Sequence, residues 1–195
     1  EEARTALEGA RPLARAMGPD GAPVLQTLAS AYRNKGDFDA GLATLAEAET
    51  LLGQNLREHL EVRGDLAQTR AQIQQSMTNY GAAETEFQAA LDDYARARDV
   101  KPRKLARVYL NYGLTLASMG QDLRAQKALT QGLEYARIAT GPKSRMTGQA
   151  LSVLAFNERS AGRLAEAKGH IDEAIAILGD VLDPSNPIMA DAQDR

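Results

Sequence analysis

The sequence predicts an all-α chain built from stacked helical hairpins, and three observations predict it. Its 195 residues include 35 Ala and 24 Leu against 6 Val and 6 Ile, so the apolar content lies in helix formers and not in strand formers. A turn between helices returns every 42 residues, at Gly36, Thr78, Gly120 and Gly162. Small and large apolar residues keep step with that turn: Gly41, Ala83, Ala125 and Ala167, then Leu45, Phe87, Leu129 and Ile171, then Ala48, Ala90, Gly132 and Ala174. Small residues let two helix axes approach, the large ones fill the space between, and a hairpin that cannot bury its apolar face alone stacks on the next.

The elements follow in chain order. A first helix is expected at roughly 1–17, in register with the second helix of a repeat whose first helix is missing, because Ala3 and Ala6 lie one period before Leu45 and Ala48. Pro23 opens a helix over roughly 22–35 that stops at Gly36, and Asp37 begins the next over roughly 38–53. Helices at roughly 58–77 and 80–98 flank Thr78, Asn79 and Tyr80. Pro102 opens roughly 102–119, and roughly 121–139 follows Gly120. After Gly141 and Pro142 come helices at roughly 145–161 and 163–182, with Gly162 between them. Asn186, Pro187, Ile188 and Met189 open a further first helix. The repeat spans are thus a half repeat at 1–21, full repeats at 22–63, 64–105, 106–147 and 148–185, and the start of another at 186–195. The chain begins at Glu1 and reads as an excised piece whose open ends, Leu7 and Leu13 on one side and Ile177, Val181 and Ile188 on the other, favour end-to-end self-association.

Some positions break the pattern. Arg70 stands where Leu28, Tyr112 and Leu154 stand in their repeats, and Gln74 and Glu158 replace Tyr32 and Leu116.

The small and apolar spacing around the Gly36, Asp37, Phe38 turn resembles the tetratricopeptide repeat. The 42-residue period, with Met-Gly-Pro-Asp at 17–20, Leu-Asn-Tyr-Gly at 110–113 and Leu-Asp-Pro-Ser-Asn-Pro at 182–187, is similar to the longer repeats of kinesin light chains and bacterial relatives. The resemblance implies a right-handed α-solenoid that binds a protein or peptide partner along the concave surface lined by the first helices. On this chain that surface would comprise Gln26, Ser30, Arg33, Gln68, Gln72 and Gln75, then Arg107, Leu110, Asn111 and Leu114, then Ser152, Phe156 and Arg159. Amides line the first half, while Leu110, Leu114 and Phe156 make an apolar stretch flanked by arginines. Asn111 matches the family's groove asparagine, but Thr27, Thr69 and Val153 hold the equivalent places, so no asparagine ladder carries over. An alternative reading is a ligand- or peptide-responsive regulatory segment of a larger signalling or transcription-regulating protein.

Other chemistry is thin. Net charge −3 lacks the basic footprint of a nucleic-acid or anionic-membrane binder. No apolar run approaches the ~18 residues of a membrane span. No cysteine and two histidines leave little for a metal site, and cysteine absence fits a reducing, cytoplasmic setting. No nucleotide, cofactor or catalytic motif is present, so no enzyme is expected. His59 and His170 read as surface or half-buried imidazoles without an evident carboxylate nearby in sequence, and Glu84, Glu86, Asp92 and Asp93 as a solvated face. The basic run Arg96, Arg98, Lys101, Arg103, Lys104 and Arg107 reads as a solvated connector.

Overall fold

The computed structural model describes residues 2–53 and 58–181, with side chains for 9–53 and 58–179. Among the described residues helices occupy the nine places expected up to residue 182, with ends within two residues of those read from the sequence: α1 Glu2–Ala16, α2 Ala22–Lys35, α3 Phe38–Leu52, α4 Leu60–Ser76, α5 Tyr80–Arg96, α6 Pro102–Ser118, α7 Asp122–Thr140, α8 Arg145–Ser160 and α9 Leu164–Val181; the further helix expected from Asn186 lies outside the described residues. No strand is present among the described residues. A short 3-10 helix, Gly18–Gly21, joins α1 to α2, and it needs glycine at Gly21 because a Cβ there would fall 1.9 Å from the Ala14 carbonyl oxygen. The chain divides into two compact units, 1–99 and 100–195. In the first, α2 packs on α3 and α4 on α5; in the second, α6 packs on α7 and α8 on α9.

One capping motif makes the 42-residue turn. Gly36, Thr78, Gly120 and Gly162 all have positive φ, at 78°, 60°, 70° and 77°. The amide of the residue after each donates back into the finished helix, to the carbonyls of Tyr32, Gln74, Leu116 and Glu158 respectively, at 2.8–3.0 Å. This is the Schellman arrangement, in which a left-handed residue satisfies helix-end carbonyls, and glycine takes that conformation without a Cβ clash. Thr78 adopts it with a branched side chain.

Packing inside three of the hairpins, α4–α5, α6–α7 and α8–α9, trades volume across the pair. A Cβ at Gly113 would lie 2.5 Å from the Leu129 side chain, one at Gly64 2.5 Å from the Tyr94 ring, and one at Gly148 2.8 Å from Leu178. Glycine therefore stands where the facing residue is large, which keeps the interior dense without forcing the helices apart. The first unit has its core in Leu25, Ala29, Leu45, Ala48, Leu66 and Ile73, the second in Ala106, Leu129, Leu133, Leu151, Leu154 and Ala174.

The positions that break the sequence pattern are answered by polar pairs. Arg70 on α4 reaches Glu49 at 2.6 Å and Glu86 at 3.3 Å, so it replaces an apolar contact by an ion-pair network. Burial works against the Arg70 charge, yet Glu49 and then Glu86 outweigh it and hold the guanidinium more firmly protonated than usual. Glu158 is 2% exposed and meets Nδ1 of the half-buried His170 at 2.7 Å, a carboxylate brought from the preceding helix and not from the neighbouring sequence. The carboxylates read as a solvated face need correction. Glu86 pairs with Arg70, and Asp93 is buried with Arg63 at 3.5 Å, because α5 turns both toward α4. Of the chain-end residues, Leu13 is 64% exposed and Ile177 is buried, while the side chains of Leu7, Val181 and Ile188 lie outside the described residues.

Candidate functional site

The amide-lined residues of the first unit sit on α2 and α4, and they are largely occupied with one another. Gln26 Nε2 donates to the Asp65 carbonyl at 3.1 Å and to Thr69 Oγ1 at 3.0 Å. Ser30 Oγ donates to the Gln26 carbonyl at 3.1 Å, one turn back on its own helix. Arg33 donates to Gln72 Oε1 and, at 3.2 Å, to Asn34 Oδ1. Gln68 is 3% exposed; its Oε1 accepts from the Tyr94 hydroxyl at 3.5 Å, and its Nε2 is buried with no partner. Gln75 is half-buried, and its carbonyl caps the turn by accepting from Thr78 N at 3.0 Å. The consequence is mechanical: these amides tie α2 to α4, and a partner's backbone would compete with bonds already made.

The second unit differs. Arg107 is exposed at the start of α6. Leu110 is half-buried over Gly132, where a Cβ would come within 2.8 Å of its Cδ2, and it packs against the core. Asn111 and Leu114 are half-buried about one turn apart, and their carbonyls accept from the Thr115 and Ser118 hydroxyls at 3.1 and 3.0 Å. Ser152 is buried and donates to the Gly148 carbonyl at 3.1 Å. Phe156 is 36% exposed, and the Arg159 guanidinium carbon lies 5.6 Å from its ring centroid. Such a cation over an aromatic face is worth roughly 0.5–1 kcal/mol at an exposed site. Leu110 and Ser152 thus belong to the packing, whereas Leu114 and Phe156 retain surface.

An aromatic cavity of about 380 Å³ lies along α6 and α7, lined by Tyr109, Tyr112, Leu116, Arg124, Lys127, Ala128 and Gln131. Tyr109 stacks on Tyr135 with centroids 5.6 Å apart, and its hydroxyl is pushed above the ordinary tyrosine range by burial and by the neighbouring Tyr135. Arg124 donates to the Tyr112 hydroxyl at 2.9 Å. Sequence reading passed over this group, although two tyrosines three residues apart on a helix share a face. The residues of the basic run face mixed company: Arg96 and Arg98 open on a cavity with Glu58 and Glu61, and Arg103 on one with Ser144, Arg145 and Gln149. Among the described residues, no three His, Cys, Asp or Glu side chains converge as metal ligands, and no helix is long and apolar enough to cross a membrane.

The tetratricopeptide repeat family profile matches residues 22–51 and 106–138. Comparison with curated proteins finds no match. Among solved structures, the crystal structure of BtubC (BKLC) from P. vanneervenii is similar, with a TM-score of 0.84 and 17% identity over 98% of this chain and 78% of that one. At that identity the likeness is one of fold, a tetratricopeptide-like helical solenoid.

Proposed function

We propose that the first-helix surface of the second unit binds a segment of a protein partner, a reading supported by the two segments that match the tetratricopeptide repeat profile, since such repeats generally mediate protein–protein interaction. The observation that carries this reading is Phe156, a large aromatic side chain kept 36% exposed beneath Arg159. An aromatic held in that setting offers an anchor, because covering it removes apolar area from water while the arginine meets a carboxylate beside it. Leu114 supplies further apolar contact, and Arg107 and Arg159 select a partner with acidic residues flanking an apolar one. The amides of α2 and α4 play the smaller part, since most are engaged between helices. The reading places the module in the cytoplasm, where a cysteine-free chain has no redox liability, and gives it no catalytic step of its own.

The test pairs binding with stability. Full-length protein and its Phe156→Ala variant are compared in affinity capture and in thermal melts. Loss of about tenfold or more in capture, with a melting temperature nearly unchanged, supports the anchor. A loss of about 3–5 kcal/mol in stability with capture intact would mean that Phe156 is a core residue and would sink the assignment.

A further inference from the structure

Charge is spread unevenly along the chain. Residues 100–149 hold nine Lys and Arg against two Asp and Glu, in a protein whose net charge is −3. Two of these cations stand one 42-residue period apart, Arg103 at the start of α6 and Arg145 at the start of α8, and both are exposed. They line one cavity of about 390 Å³ together with Thr140, Ser144, Met146 and Gln149. No carboxylate lines it, and among the described residues neither guanidinium makes an ion pair or a hydrogen bond. The wall beside them is fixed: the Thr140 and Ser144 hydroxyls lie 2.6 Å apart, Thr140 donates to the Ala136 carbonyl at 3.0 Å, and Ser144 Oγ accepts from Thr147 N at 3.2 Å. The first unit holds the balanced version of this place. One period earlier Glu61 stands where Arg103 stands and Arg98 where Thr140 stands, and the cavity there sets Glu58 and Glu61 against Arg96 and Arg98. In the second unit an arginine has taken the place of the glutamate, and no residue lining the cavity offsets the charge. Two like charges on one cavity repel each other, and an anion between them relieves that repulsion.

We propose that this cavity binds a phosphate monoester, supplied as a phosphoserine or phosphothreonine side chain of the protein partner. A phosphorylated side chain carries about −1.5 to −2 charge at neutral pH and three acceptor oxygens, which suits two guanidiniums, whereas a carboxylate brings one charge and two oxygens. Each arginine donates through a planar fork, and the Gln149 amide adds a neutral donor. Register joins the cavity to the surface proposed above. Arg145, Gln149, Ser152 and Phe156 follow one another at i, i+4, i+7 and i+11 along one face of α8, and Arg103, Arg107, Leu110 and Leu114 repeat that spacing on α6. The step from Arg145 to Phe156 spans about 16 Å of helix, the length of about five residues of extended chain. The spacing rests on Phe156 as the apolar anchor: the phosphorylated residue then falls about five positions from the apolar residue of the partner.

The probe is a fluorescent peptide library with phosphoserine fixed at its centre and randomised positions on both sides, titrated by anisotropy against the whole chain beside the same library carrying serine. The phosphoserine library is expected to bind about tenfold or more tightly, Arg103→Gln and Arg145→Gln each to erase most of that ratio, and Arg145→Lys to restore it only in part, since lysine keeps the charge and loses the fork. Arg98→Gln, which removes a cation from the balanced cavity of the first unit, leaves the ratio unchanged. Thermal melts check that each variant is folded. Equal binding of the two libraries, or a ratio indifferent to Arg103 and Arg145, overturns the proposal. Inorganic phosphate or a single-stranded oligouridylate that binds the same arginines more tightly than the phosphoserine library would give the cavity to a free anion or to nucleic acid, and would overturn the protein partner. Peptides recovered from the bound fraction are expected to carry an apolar residue about five positions from the phosphoserine, a preference that Phe156→Ala removes while the phosphate ratio persists. A phosphate ratio that depends on Arg103 and Arg145 but comes with no apolar preference upholds the cavity and sinks the Phe156 anchor alone, so the two readings fail separately.

Discussion

Glu158 on α8 and His170 on α9 meet at 2.7 Å in the two positions where the preceding hairpin sets Leu116 against Ala128. A polar pair has replaced an apolar one in a site where the carboxylate is 2% exposed, with the imidazole side chain 32% exposed. Removing His170 alone leaves a buried carboxylate without that partner. His170→Ala is expected to cost about 1–3 kcal/mol, below the full cost of a wholly buried pair because water reaches the imidazole side. The double change Glu158→Leu with His170→Ala copies Leu116 and Ala128 and is expected to be neutral or stabilising. Urea unfolding of the three variants measures the cycle, and a silent His170→Ala would show that the contact contributes nothing.

Gly113 faces Leu129 so closely that a Cβ would lie 2.5 Å from Cγ and Cδ2 and 3.2 Å from the backbone nitrogen. Gly113→Leu therefore overpacks the α6–α7 interface and lowers stability by about 1–3 kcal/mol, although leucine is the better helix former. An unchanged or raised melting temperature contradicts the packing.

Thr78 occupies the left-handed turn position that is glycine in the other three hairpins. A β-branched residue there is strained by roughly 1–2 kcal/mol, and glycine gives back part of that gain through its greater freedom when unfolded. Thr78→Gly is expected to raise stability by about 0.5–1 kcal/mol, read from the midpoint of a denaturant titration. A lowered midpoint would mean that the hydroxyl or methyl group of Thr78 makes a contact worth more than the strain.

Asp93 holds its proton more tightly than an ordinary aspartate, chiefly because it is buried and despite Arg63 and Arg96, with Asp92 adding to the effect. Its folded-state pKa lies above the ordinary 3.8, so in the interval between the two the native chain binds more protons than the unfolded chain. Stability from this residue grows as pH falls through that interval and is lost as pH rises through it. Asp93→Asn, which carries no charge at any pH, is expected to stabilise the protein at neutral pH, with an advantage that shrinks toward zero below the ordinary aspartate range. Melting temperatures of both proteins across pH 3–8 check the sign. An advantage that grows on acidification would mean that the Arg63 pair outweighs burial.

Sequence by itself determined the helices, the turn period and the small-residue seams of each hairpin. These are local or periodic properties: Pro23 and Pro102 open helices, Gly36, Gly120 and Gly162 close them, and a residue such as Gly113 must be small whenever two helices cross closely. Tertiary structure alone decided which polar residues are surface and which are interior. Gln26, Gln68 and Gln72 look like a binding strip along the chain, yet Gln26 and Gln72 are engaged across the α2–α4 seam and Gln68 is buried. Leu110 and Phe156 look alike as apolar first-helix residues, but Gly132 opens a space that takes Leu110, while Phe156 stays exposed under Arg159. Arg70 with Glu49 and Glu86, and Glu158 with His170, carry no signature in their own windows of sequence, because each partner lies on a different helix. The physical reason is that periodicity fixes the face a side chain occupies, whereas its burial and its bonds depend on the volume and charge of what the neighbouring helix brings against that face.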